Sequence, residues 1–392
     1  MHSILFSSLK NNIFRALTEG AKVRRLFYCT RNIAGLILVI SPLVGFLYID
    51  YNFTLSMIFL CSIAAGIPLG SACYRLINFR LWTGLACIGV CLGALLLRGE
   101  GALGGAAAAK AVGMAFVGFY AGGLAAVVPA NLMVNWFRAS KTLLLGAVFS
   151  ISITAGALLT ALMERHTYLT LSLSLIMMLT GCLFFLQRPP VFWGESALSW
   201  DKKFRSVKRA AAVRLFLFIM AVSFAVGLSL FSPMNSQAFD SSISANRVFL
   251  LGLMAGAFAA ALLSEFKSVY GGCILVIFLA ELSVFYFGAG NTTMQLFVNT
   301  FSQGLFLSAM TAVIPIAVYY IYGPAGYNGC LGAVWTAFPL GLVSAGALTK
   351  ASADTNVPFL MSQNVSIFLM FLLTACFFTI FSAWRHRFIL LK

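Results

Sequence analysis

Charge is what this chain of 392 residues has least of. Charged side chains make up 9% of it, against roughly 25% in an average soluble domain. Acids are the scarcest: 10 Asp and Glu stand against 26 Lys and Arg, with three His. No acid, base and nucleophile fall together, so an enzyme is not expected. No close Cys/His cluster exists either, which removes zinc, haem and a disulfide framework; no metal and no cofactor are expected. Eight of the nine Cys (61, 73, 87, 91, 182, 273, 330 and 376) lie inside apolar runs and read as small hydrophobes, with Cys29 in the basic N-terminal region. A Gly-x-x-x-x-Gly-Lys run is missing, which argues against ATP-driven transport by this chain alone. Nor does the N-terminus read as a cleavable signal, because about thirty residues with repeated Lys and Arg precede the first long apolar run and no small-residue cleavage site follows.

What is present is apolar surface. Hydrophobic residues make up 61% of the chain, with a mean hydropathy of +0.96. A soluble core cannot hide that much, so lipid is the solvent. The net charge of +16 is spread between the apolar runs rather than gathered into a face. That placement fits the positive-inside rule and gives no reason to expect nucleic acid as a partner. Runs of about twenty residues predict twelve spans, near 32–49, 53–73, 81–97, 108–134, 143–163 and 168–187, then near 213–235, 246–264, 269–288, 294–320, 327–349 and 361–383. Residues 1–30 form a basic amphipathic segment suited to the membrane surface. Residues 31–187 and 213–392 form two six-helix bundles, joined by a hydrophilic linker at 188–212 that opens with Pro189-Pro190. With both termini in the cytoplasm, 21 of the 26 Lys and Arg fall inside, and only Arg98, Lys110, Arg165, Arg247 and Lys350 fall at the outer ends.

The two bundles share a spacing. Gly66, Gly70, Gly104, Gly118 and Gly146 recur 186 positions later as Gly252, Gly256, Gly290, Gly304 and Gly332, and Pro129 recurs as Pro315. The expected fold is therefore all-α and integral to the membrane, twelve helices written as two pseudo-repeats. Parallel six-span repeats place a transport site between the halves.

Twelve spans, a basic central linker and a basic turn after the second span resemble the major facilitator superfamily over nearly the whole chain. The family's turn reads Gly-x-x-x-Asp-Arg-x-Gly-Arg-Arg. Here the stretch is Gly70-Ser-Ala-Cys-Tyr74-Arg75-Leu-Ile77-Asn-Phe-Arg80. Gly70 and Arg75 keep the pattern and Arg80 supplies a basic residue one position past its Arg pair, while Tyr74 replaces the acid and Ile77 the second glycine. Trp136-Phe137-Arg138, with Lys141 and Gly146, looks like the family's turn between spans four and five, without the Gly-Pro of its drug antiporters. The resemblance implies gating roles for Gly70, Arg75, Arg80, Arg138 and Lys141. It also implies a central pathway lined by spans one, four, seven and ten, where Ser41, Tyr120, Ser229, Asn235, Gln303 and Ser308 are the polar or aromatic candidates. Trp335 and Thr336 in the eleventh span join them. Each of these is also explained as a packing or interhelical hydrogen-bonding residue.

Glu281 is the one carboxylate well inside a span, and a buried charge there is costly enough to mark a possible coupling residue. Its span, the ninth, is a peripheral support helix in the resembled family, so a structural role stands beside coupling. The function expected is a secondary active or facilitative transporter of a small solute, monomeric, in the plasma (inner) membrane and surrounded by lipid. Scarce central acids and basic outer residues favour a polar metabolite or organic anion. A lipid-like substrate and a non-transporting sensor with the same fold are the alternatives.

Overall fold

A backbone crossing hydrocarbon must satisfy its own hydrogen bonds, and a helix does so within one segment. The computed structural model describes residues 28–43, 53–98, 107–136, 141–187, 202–231, 243–267, 269–288 and 293–354, and no strand occurs among them. The described helices are α1 (Tyr28–Leu43), α2 (Phe53–Leu76), α3 (Phe79–Arg98), α4 (Ala107–Ala121, continued through Val128–Trp136), α5 (Lys141–Arg165), α6 (Thr167–Thr180), α7 (Lys202–Leu230), α8 (Ile243–Lys267), α9 (Val269–Gly288), α10 (Thr293–Trp335) and α11 (Ala337–Asp354). Nine helices among the described residues are long and apolar enough to cross a membrane. Leu76, Leu158, Leu169, Ile176, Phe184 and Met294 point large apolar side chains outward, which suits a surface solvated by lipid.

Two boundaries depart from the sequence pattern. The linker at 188–212 was expected to carry a surface helix, and α7 begins within it at Lys202 and continues without interruption into the span expected from 213. Lys202–Arg209 holds neither Gly nor Pro, so the helix runs through the charged stretch; charge marks where lipid ends, not where a helix ends. The link expected between spans ten and eleven, near 321–326, is helical. α10 covers 43 residues as one helical run, which takes in the apolar stretch Phe297–Tyr319 and the start of the stretch Cys330–Ser352. At Thr336, the one residue between α10 and α11, the helical bonds persist at 3.2 Å (Thr336 N–H to Gly332 O) and 3.3 Å (Leu340 N–H to Thr336 O).

Two π-helical turns interrupt the regular helices. Gly122–Val127 lies in α4, and the Val128 N–H donates to Gly123 O. Pro129 follows directly; having no N–H, it cannot serve the carbonyl one turn back, and the widened turn absorbs the mismatch. Gly181–Phe185 closes α6, with the Leu186 N–H on Gly181 O at 2.9 Å.

Glycines set the closest helix contacts. A Cβ on Gly66 of α2 would run into the Phe119 carbonyl oxygen of α4, and one on Gly118 would lie 2.6 Å from Phe59 O. In α8 and α10 the pattern repeats: Gly252 faces Phe301 O, and Gly304 faces Phe249 O. Small residues let backbones touch where lipid supplies no hydrophobic drive for association.

Candidate functional site

The polar residues of α7, α9 and α10 meet in one buried network. Ser229 Oγ donates to Ser283 O and to Asn299 Oδ1, each at 3.1 Å. Gln303 Nε2 donates to Ser229 Oγ at 3.0 Å and to Asn299 Oδ1 at 3.1 Å. The Ser283 and Ser302 hydroxyls lie 3.0 Å apart, and Ser302 Oγ also reaches Asn299 O at 2.8 Å. All five side chains are buried. Asn299, Ser302 and Gln303 fall at helix positions i, i+3 and i+4, which puts them on one face of α10. An isolated amide in hydrocarbon would be costly; here each is answered by another polar group. Every member is neutral.

Of the residues expected to line a pathway, the structure brings together Ser229 and Gln303. Ser41 Oγ donates to its own helix at Ile37 O, 2.6 Å away. Ser308 Oγ does likewise to Gly304 O at 3.2 Å, at the point where a Cβ on Gly256 of α8 would press against it. The Tyr120 ring packs at Gly89 of α3, edge-on to Phe119 with ring centroids 5.2 Å apart. Trp335 is buried and stacks on Phe338 at 5.4 Å, and Thr336 Oγ1 donates to Gly332 O at 2.6 Å. Asn235 and Arg138 lie outside the described residues, as does the side chain of Lys141, whose backbone opens α5. Glu281 sits half-buried on α9. Asn299, Ser302 and Ser283 were missed; the Asn299-Thr-Phe-Ser302-Gln303 spacing was the readable signal for the first two.

At the turn after α2, Tyr74 fills the position of the family's acid. It is buried, with its ring edge-on to Phe79 at 5.4 Å. Asn78 caps α3, accepting the Arg80 N–H at 3.0 Å; the Arg80 side chain is exposed, and that of Arg75 lies outside the described residues. A Cβ on Gly70 would lie 2.6 Å from Gly123 Cα. At the other end of α2, Lys350 Nζ stands 5.8 Å from the Phe53 ring centre, and Phe53 meets Phe231 edge-on at 5.8 Å. Among the described residues no group of three or more His, Cys, Asp and Glu is placed to hold a metal ion.

No protein-family model matches the chain, and no curated protein matches it by sequence. Solved structures do match its shape. The human organic anion transporter MFSD10 superposes with a TM-score of 0.64 at 17% identity, over 91% of this chain and 99% of that one. The E. coli fucose:proton symporter FucP, in a point variant, gives 0.58 at 14% identity over 92% and 98%. FucP in the outward conformation gives 0.59 at 12% over 93% and 98%. The chain has the fold of the major facilitator superfamily. It is an integral, multi-pass membrane protein. The Ser229–Gln303 bond joins α7 to α10.

Proposed function

We propose that this protein is a secondary active or facilitative transporter that moves a small solute by alternating access, with twelve helices in two six-helix bundles and both termini in the cytoplasm. The observation that carries the reading is the match of more than nine-tenths of the chain to two solute transporters of one fold. The 21-to-5 division of basic residues supports the orientation. The buried amide-hydroxyl network supports a polar solute, because hydrogen-bonding groups in a dry interior select ligands that can replace their partners. Exposed Lys110, Arg247 and Lys350 sit on the side assigned to the outside and favour an organic anion over a cation. The protein acts as a monomer in the plasma (inner) membrane, with lipid on its outer faces.

A sensor that kept the fold without transport is favoured by one observation, the neutral, buried Tyr74 where the family carries an acid. Uptake of labelled organic anions and sugars into proteoliposomes, with and without a proton gradient, separates the two. Flux of any solute that stops on removal of the protein supports transport; specific ligand binding with no flux supports the sensor. Glu281→Gln in the same assay tests coupling. Retained flux with proton dependence lost, in a folded protein, assigns coupling to Glu281, and unchanged dependence assigns it a structural role.

A further inference from the structure

Two helices present sulfur to each other. On α3, Cys87 and Cys91 stand one turn apart; on α6, Met178 and Cys182 do the same. Cys87 Sγ lies 3.2 Å from Cys182 Sγ, and Cys91 Sγ lies 4.0 Å from Met178 Sδ, so the two rows cross in antiparallel register. Cys87, Met178 and Cys182 are fully buried, and all three cysteines are free thiols. Packing explains any one of these side chains as a small hydrophobe. It does not require two thiols from helices 95 positions apart to face each other with nothing between them.

We infer that Cys87 and Cys182 form a reversible disulfide site that ties α3 to α6 when the bilayer carries an apolar hydroperoxide. A disulfide needs a separation near 2.05 Å, so closure from 3.2 Å asks for about 1.2 Å of further approach, shared by two side chains. Cys182 sits in the π-helical turn Gly181–Phe185, where the helix is already off its regular pattern and can adjust. Cys91 faces a thioether, which cannot complete a bridge, so the cluster offers one pairing. Both thiols lie inside apolar spans, Phe79–Leu97 and Tyr168–Phe185; an oxidant dissolved in lipid reaches them more readily than one confined to water.

The chemistry balances in two steps. One thiol sulfur attacks the O–O bond and keeps one oxygen as a sulfenic acid, while the thiol proton leaves with the other oxygen as an alcohol. The second thiol attacks the sulfenic sulfur; the S–S bond forms, and the second proton leaves with the hydroxyl as water. Two thiols are oxidised and one hydroperoxide is reduced.

The bridge would extend an existing tie. Just past α6, the Gln187 N–H donates to Asn32 Oδ1 of α1 at 2.8 Å, and a Cβ on Gly181 would lie 2.8 Å from Gly35 O. Oxidation therefore locks α1, α3 and α6 into one unit at the point where the chain leaves for the linker.

The test uses the full chain in proteoliposomes treated with cumene hydroperoxide, with unreduced peptides read by mass spectrometry. The expected product joins the Cys87 and Cys182 peptides with the loss of two hydrogens, and a membrane-permeant thiol reductant reverses it. It is absent in Cys87→Ala and in Cys182→Ala and kept in Cys91→Ala. Native protein alone also decides the matter. Recovery of both thiols unbridged at a dose that oxidises exposed Met294 would overturn the inference, as would a bridge through Cys91.

Discussion

Gly146 of α5 and Gly332 of α10 make matching contacts from opposite parts of the chain. A Cβ on Gly146 would strike the Ala261 side chain and lie 2.5 Å from Ala257 O, both on α8; one on Gly332 would lie 2.6 Å from Ser71 Cβ and 3.4 Å from Pro68 Cα, both on α2. The two glycines are 332 − 146 = 186 positions apart, and so are their partners, 257 − 71 = 186. One contact maps onto the other with the roles of the two parts exchanged, which is how two related bundles meet across a pseudo-twofold axis. Gly146→Val and Gly332→Val each overfill such a contact at a cost of about 1–3 kcal/mol. Both variants are expected to melt at lower temperature than the native protein in a thermal unfolding series in detergent, while Gly84→Val, which meets nothing within 4 Å, leaves the midpoint nearly unchanged. Equal midpoints for all three would remove the two contacts from the stability of the fold.

The hydrogen-bond network offers a sharper division. Gln303→Leu removes two bonds at once, and Asn299 Oδ1 keeps only the bond from Ser229 Oγ. The expected loss is about 1–2 kcal/mol, a buried unsatisfied polar group setting the upper end and the modest worth of hydrogen bonds within membranes the lower. In transport, a contact with solute raises KM more than it lowers kcat. A purely structural network lowers the amount of folded protein and leaves KM alone.

Tyr327 separates hydroxyl from ring. Its side chain is buried, and its hydroxyl has no hydrogen-bond partner among the described residues, while its ring meets Tyr319 edge-on at 5.8 Å. Tyr327→Phe is therefore expected to keep or slightly raise thermal stability, since it removes a desolvated hydroxyl that gains nothing in return. Tyr327→Ala should lose about 3–5 kcal/mol by leaving a ring-sized hole. A Phe variant as damaged as the Ala variant would mean that the hydroxyl is in use.

Orientation is open to chemical labelling. Single cysteines placed at Asp354 and at Lys203, with native thiols blocked first, are expected to react with an impermeant maleimide from outside and from inside respectively. The reverse pattern would overturn the assignment of both termini to the cytoplasm.

How far the sequence reached depended on what each signal measures. Hydropathy measures lipid contact, so the run at 269–288 coincides with α9 (Val269–Gly288). It says nothing about helix that continues into water, and the start of α7 at Lys202 and the unbroken course of α10 past residue 320 were both invisible to it. Glycine spacing reached further, because a residue without a side chain is needed only where backbones touch; Gly66, Gly118, Gly252 and Gly304 all proved to be such places. Polar residues were harder to read. Ser229, Gln303, Ser41 and Ser308 look alike in an apolar run, and only packing decides that the first two bond across helices while the others bond back to their own. Ser283 carried no sign of its role, because its partner lies on another helix.

The acid-poor composition has a consequence for energetics. The membrane field does work on charge at about 2.3 kcal/mol per elementary charge per 100 mV. Hydroxyls and amides from α7, α9 and α10 carry no net charge, so voltage exerts no net pull on that network however it shifts during a cycle. Electrical sensitivity in this protein has to enter through the solute or through charged side chains, Glu281 and the basic residues at the helix ends among them.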